Sequence, residues 1–513
     1  VRSSDARIDL RDHAASTKRA VILHPSGVTV RFGELEVSAN RLAHYLRRQG
    51  LAAGDTIAVV MENNEHIHAV MWAARRSGLY YTLINTQLRA AEISFVVGDS
   101  GAKAIISSVA MRAVCQQLSE SLPRGLPSVA LIADGELEGW RRYPDCVAAM
   151  PAAPIGDECD GQLLQYSAGS TGRPKGIRRP LKPASSVRSS LSTPVFEALG
   201  VTSDSVYMSP APTYHTAPAM WTMAAQAAGA TTVMMETFDA EGALDCIERY
   251  GVTHAQFVPT MFVRMLRLPR ATRMRFDLST LQRVVHAAAP CPPEIKRQMI
   301  DWWGPIVDEY YGSSEGAGIS FIRAEDWLRH PGSVGKPMLG VPHILDENGN
   351  EVAEGQVGDI YYEGGYPFEY LNDAEKTAAA RNSKGWVTVG DVGYLDDDGY
   401  LYLTDRRHHM IISGGVNIYP QETEDVLVCH PLVVDAAVFG VPDEVMGQSV
   451  VAVVQLVDPT RATPQFADEL TEWLRSRLAR YKCPRSLYFE PRLPRSDAGK
   501  LYKQELISKY SRR

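Results

Sequence analysis

Short apolar runs alternating with helix-length amphipathic stretches fill the first two thirds of the chain. Residues 54–61 (GDTIAVVM) form a strand-like run behind a turn signal, a helical stretch follows to Arg76, and YYTLIN at 80–85 returns to strand. That alternation is a β-α-β unit. The same texture recurs at 104–107 (AIIS), 129–132 (VALI), 231–235 (TTVMM) and 255–258 (AQFV), so roughly the first 350 residues predict α/β structure with largely parallel sheets. From about Val357 the pattern changes. GDIYYEG and then WVTVGDVGYLDDDGYLYLTD set short alternating runs against Gly/Asp turns, the pattern of antiparallel hairpins. The segments 422–428, 436–440, 449–456 and 467–481 then predict a small α+β unit. The fold class is therefore α/β: a large N-terminal domain (1–405) of doubly wound sheets with a β-rich subdomain at about 340–405, and a small α+β C-terminal domain (406–513).

The chain has 513 residues, about three domains or fewer at roughly 150 residues each. Hydrophobic residues are 45%, charged residues 22% and net charge −7, which excludes disorder, collagen and coiled coil as whole-chain descriptions. A sequence pI near 6.0 with no dense Lys/Arg block argues against a nucleic-acid partner and for small molecules. Seven scattered cysteines without a C-x-x-C pair fit neither a disulfide framework nor a structural zinc site, and point to reducing cytoplasm. The N-terminal VRSSDARIDLRDHAAS carries charges where a signal peptide needs an apolar core. The apolar stretch 219–235 is too short and too polar to span a membrane and predicts a buried helix running into a strand.

The densest chemical signal is LQYSAGSTGRPKGI at 164–177, with Ser167, Gly169, Ser170, Thr171, Gly172 and Lys175. Small residues let backbone N–H groups approach an anion, hydroxyls add donors and lysine adds charge, which together make a polyphosphate cradle. It is not a Walker A loop, because Lys175 follows Arg173-Pro174 and precedes Gly176. Alone, such a loop reads equally as a surface turn. It is followed, however, by PTYHTAP (212–218), AAAPCP (287–292), EYYGSSEG (309–316), VGDVGYLDDDGY (389–400), DRRHHMIISGGVNIYPQETE (405–424) and LPRSDAGK (493–500). In order and spacing this string resembles the adenylate-forming superfamily, which holds AMP-forming acyl-CoA synthetases, adenylation domains of peptide synthetases and beetle luciferases. The phosphate loop departs from the family pattern only at Ala168, where a hydroxyl residue is usual.

The resemblance implies the following roles. Ala288, Ala289 and Pro290 bracket an adenine, with Glu309, Tyr310 and Tyr311 on the same nucleotide wall. Ser314, where the family usually has Thr, contacts the α-phosphate; Glu315 holds Mg²⁺, a task suited to a hard carboxylate oxygen. Asp391 takes the ribose hydroxyls and Arg406 assists at the ribose or phosphates. Lys500 answers the charge that develops when a carboxylate attacks the α-phosphate, and Thr171, Ser314 and His215 complete the catalytic set. His215, Val258, His286 and Gly312 are expected around the acid. The family runs two steps and rotates its small domain between them, which makes that domain mobile, with the hinge at His408, a pH-sensitive residue where most members have Asp or Lys. Gly414 and Gly415 are expected in the tunnel that admits CoA.

The implied function is an ATP- and Mg²⁺-dependent acid:CoA ligase, with bacterial fatty-acyl or aryl-acyl CoA ligases the nearest in texture. The alternatives are a stand-alone ligase passing the acyl group to an amine or carrier protein, and a catalytically silent acid or nucleotide binder. Thirteen residues follow Lys500, so a fused carrier domain is not expected. Fatty and aromatic acids both stay open, as does the oligomeric state.

Overall fold

A computed structural model of the chain describes residues 9–122, 125–167, 174–181, 193–407, 409–495 and 501–511. Its first sheet has six strands, all parallel, in the order Arg141–Arg142, Val129–Ile132, Ala104–Ser107, Thr56–Val60, Tyr80–Leu83 and Gln162–Leu163. Its inner strands are buried at every residue (TIAVV, AIIS, VALI). Such runs lack alternation because helices cover both faces.

The second sheet has 13 strands. Its parallel half runs Arg19–His24, Thr231–Met235, Val206–Ser209, His254–Phe257, Arg283–His286 and Val307–Gly312. From Ile319–Ile322 onward every pairing is antiparallel, out to Val341–Leu345 at the edge. The antiparallel strands within the expected β-rich subdomain, about 340–405, continue the large sheet, and antiparallel pairing begins ahead of them at Ile319–Ile322.

Between the two sheets lie the helices Phe32–Arg48, Ile67–Arg76 and Thr216–Ala227, sharing one core with side chains of both sheets such as Ile57, Tyr81, Leu23 and Tyr207. The Thr216–Ala227 helix (TAPAMWTMAAQA) suits this layer: it is alanine-rich, nearly all buried, and keeps its proline in the first turn, where no intrahelical N–H is lost. Its polar residues are matched across the layer, His68 to Thr222 Oγ1 at 2.8 Å and Trp72 Nε1 donating to Gln226 Oε1 at 2.8 Å. The far face of the large sheet is covered by Ala240–Tyr250, Pro259–Leu266 and Pro293–Trp303.

Residues from Ile411 onward build a separate five-stranded sheet, with cores drawn from that segment alone. It rests on the large sheet's outer helices. Arg267 donates to the carbonyls of Val433 and Val434, and Val428 packs into the core beneath Pro259–Leu266 and Pro293–Trp303.

Candidate active site

The strands Gln165–Ser167 and Lys175–Arg178 pair antiparallel with Ser167 opposite Lys175, so both residues flank the mouth of the glycine-rich loop. Gly169, Ser170, Thr171 and Gly172 lie outside the described residues. Asp99 anchors this mouth: Tyr166 donates its hydroxyl to Asp99 Oδ2 at 2.6 Å, and Asn372 Nδ2 donates to the Asp99 carbonyl at 3.0 Å and to Oδ1 at 3.1 Å. The Asn372 contact brings in the Ala374–Ala379 helix and with it Lys376. Lys175 and Lys376 each place Nζ 5.8 Å from the centre of the Tyr370 ring. Burial and the adjacent Lys376 lower the Lys175 ammonium to about 8. Tyr370 in turn donates its hydroxyl to Glu315 Oε1 at 2.9 Å. Neither Asp99 nor Lys376 was legible beforehand, since each is one charged residue in a polar helix-end sequence.

A second corner forms where Asp391 and Arg406 face each other across neighbouring strands. Arg406 Nε lies 3.1 Å from Asp391 Oδ1, and Tyr311 donates its hydroxyl to Asp391 Oδ2 at 2.5 Å. Burial and the Asp391 carboxylate push the Tyr311 hydroxyl well above its ordinary range, so it stays a donor. Asp391 is buried and points two oxygens at two different partners, which fixes its orientation.

Between the corners, Thr216 Oγ1 and Ser314 Oγ are 3.2 Å apart, joining the start of the Thr216–Ala227 helix to the loop after Val307–Gly312. His215 is the extended residue before that helix, half-buried, its ring 4.6 Å from that of Tyr214. Asn63 holds the approach: its Oδ1 accepts from Thr213 N at 2.8 Å and Thr213 Oγ1 at 2.6 Å, and its Nδ2 donates to Met235 O at 2.8 Å. Arg179 braces the Ser314–Gly316 turn, donating to Ser314 O at 2.9 Å with its guanidinium 5.1 Å over Tyr366.

Three expectations are corrected. Glu309 is on the opposite face of its strand from Tyr310: Lys296 donates to its carboxylate at 2.7 Å from inside the outer-helix core. Although burial opposes the charge, Lys296 and His286 hold Glu309 well below the usual carboxylate range, so it supports the wall instead of contacting a nucleotide. His286 is wholly buried on that same face, 5.4 Å from Phe262. Val258 belongs to that core too. His286 leaves the acyl-pocket set because alternation along its strand sends every second side chain to the other layer; Val258 leaves it because it follows the His254–Phe257 strand as the residue capping the Pro259–Leu266 helix, whose core it joins.

Gly312 ends the Val307–Gly312 strand, and the loop after His286 turns through Ala288 at φ 74°, a left-handed conformation costing about 1–2 kcal/mol outside glycine. Ala289 and Pro290 follow beside it. Gly414 and Gly415 are exposed on the small sheet's Ile411–Ile418 hairpin, and Gly414 donates its N–H to Met446 O at 2.8 Å within that sheet. His408 and Lys500 lie outside the described residues. Among the described residues no cluster of three or more His, Cys, Asp or Glu is arranged for a metal.

The AMP-binding enzyme family matches residues 10–369 and the AMP-binding enzyme C-terminal domain family matches 422–500. Long-chain-fatty-acid–CoA ligase FadD13 of Mycobacterium tuberculosis is 29% identical, over 98% of this chain and 98% of its own. Feruloyl-CoA synthase of Amycolatopsis sp is 31% identical, over 97% of both chains. Among solved structures, amide bond synthetase McbA from Marinactinospora thermotolerans superposes with a TM-score of 0.82 at 25% identity, covering 98% of this chain and 99% of that one.

Proposed function

This chain belongs to the AMP-binding enzyme family and is an ATP-using, AMP-forming carboxylic acid ligase of the acyl-CoA synthetase type; we propose how its own residues divide that work, and that CoA is the acceptor. Asp391, oriented by Arg406 and Tyr311, takes the ribose hydroxyls. Ser167 and Lys175 hold the β- and γ-phosphates at the mouth of the glycine-rich loop, whose residues Ser170 and Thr171 supply further donors. Ser314, kept in place by Thr216 and by Arg179 beneath it, addresses the α-phosphate. His215 flanks the acid.

Glu315 suits Mg²⁺, because that ion is commonly held by one or two carboxylates together with substrate phosphates. When bound, Mg²⁺ would neutralise charge on the phosphate oxygens. The acid's carboxylate oxygen bonds to the α-phosphorus as the bond to the bridging oxygen breaks, and pyrophosphate leaves with that electron pair. Lys500 stabilises the charge at this step. The small C-terminal domain, residues 406–513, then turns about His408 and brings Gly414 and Gly415 to the site for attack by the CoA thiol, with release of AMP. Seven free cysteines support a reducing cytoplasmic setting, and among the described residues no helix is long and apolar enough to cross a membrane.

The observation that carries this reading is the convergence of the Asp391–Arg406–Tyr311 corner and the Lys175–Tyr370–Glu315 corner on the turn holding Ser314. A mass-resolved assay with ATP, Mg²⁺ and pooled fatty and aryl acids tests it, run with CoA, with a simple amine and with neither. AMP together with a CoA-dependent acyl-CoA peak is expected. Amide product, or adenylate that accumulates regardless of CoA, would favour the second reading, an amide-forming ligase, which the fold shared with the amide bond synthetase keeps in play.

A further inference from the structure

Thr216, at the start of the Thr216–Ala227 helix, meets Ser314, just beyond the Val307–Gly312 strand, and on the reading above the acid lies between these two elements. That space has a floor. Trp221 stacks on Tyr310, ring centres 5.0 Å apart at 29°, and Gln256 on the His254–Phe257 strand, the second strand over in the sheet, donates Nε2 to the Tyr310 hydroxyl at 3.0 Å. Trp221 stands five residues beyond Thr216, about 7.5 Å along the helix axis. Three elements are thus tied together a short way below the reacting centre.

The floor is polar and unsatisfied. Gln256 is 7% exposed, yet its Oε1 has no hydrogen-bond partner among the described residues. The hydroxyl of Tyr207, wholly buried in the same aromatic cluster through Phe196 (ring centres 6.3 Å apart), also has none. Phe196 closes the ring by meeting Trp221 edge-on at 6.0 Å. Buried amide and hydroxyl groups nearly always find partners. Since Tyr310 accepts from Gln256, its own O–H is left to donate. The floor therefore offers both a donor and an acceptor inside an aromatic wall.

We propose that this enzyme activates a compact aromatic acid bearing a hydroxyl or amino group at the end remote from its carboxylate, which satisfies Gln256 and Tyr310, and that it rejects long-chain fatty acids. This rests on the acid-activation reading above. A flat ring fits aromatic walls by offset or edge contacts. A long alkyl tail has no path past the Trp221–Tyr310 stack, and an acid lacking the remote group leaves the buried amide unpaired. A site built to bond a polar group discriminates strongly against the analogue without it.

The test is acid-dependent pyrophosphate exchange into ATP by the full chain, with benzoate, 4-hydroxybenzoate, 4-aminobenzoate, 4-hydroxycinnamate, hexanoate and palmitate. The expected result is a kcat/KM for the best ring-substituted acid at least about tenfold above benzoate, with palmitate inactive. Gln256→Leu should erase the substituent preference while benzoate turnover persists, and Tyr310→Ala should open the floor and admit hexanoate and longer chains. Palmitate turned over as well as the substituted rings by the wild type, or a substituent preference that survives Gln256→Leu, would overturn the proposal. Absence of exchange with every acid would instead sink the ligase reading on which it stands.

Discussion

Lys175 and Lys376 meet at the ring of Tyr370, with the carboxylates of Glu315 and Asp373 acting on Lys175. Two ammonium groups this close repel, and the repulsion is relieved when a polyanion sits between them. Because the Lys175 ammonium is lowered to about 8, it is charged below that pH and neutral above it. Binding of polyphosphate favours the charged form, so ATP affinity is at full strength below about pH 8 and falls as pH rises through it. KM for ATP measured from pH 6.5 to 9.5 should therefore climb on the alkaline side. Lys376→Gln removes the repelling neighbour and should shift that climb to higher pH, while loss of one charged contact raises KM about tenfold at neutral pH. An alkaline limb unmoved by the substitution would show that the two lysines do not act together.

At the level of elements, one carboxylate ties three pieces of chain. Asp99 ends the Ala90–Asp99 helix and receives both Tyr166, from the strand entering the phosphate loop, and Asn372, from the turn before Lys376. Asp99→Ala should cost about 1–3 kcal/mol, the range for losing hydrogen bonds to a charged group. Hydrogen exchange should quicken at 165–167 and 175–178, with KM for ATP raised several-fold. Fast exchange spread evenly over the large domain would mean that Asp99 has only a general stabilising part. The parallel strands were readable as elements because burial on both faces makes them continuous apolar runs. Which way each side chain points was not readable at Glu309 and His286, because their strands, VDEYYG and RVVH, carry polar residues on both faces and so give no hint of which face borders the ligand.

Across the whole molecule, the small C-terminal sheet is held by Arg267 on two carbonyls, with Gly414 and Gly415 exposed. On the proposed reading, delivery of the acyl group turns this sheet about His408. His408→Pro, which restricts the backbone at the hinge, should spare acyl-AMP formation and block thioester formation, read by following pyrophosphate and acyl-CoA separately; equal loss of both would contradict a hinge role. The order of motifs from Tyr166 to Lys500 was enough to name the family and the nucleotide, because backbone-phosphate and carboxylate-ribose chemistry demands fixed residues at fixed turns. Tertiary structure alone brought Asp99 to Tyr166, Lys376 to Lys175, and both Gln256 and Trp221 to Tyr310. These pairs are 67, 201, 54 and 89 positions apart in sequence, and no local pattern encodes a contact that only tertiary packing creates.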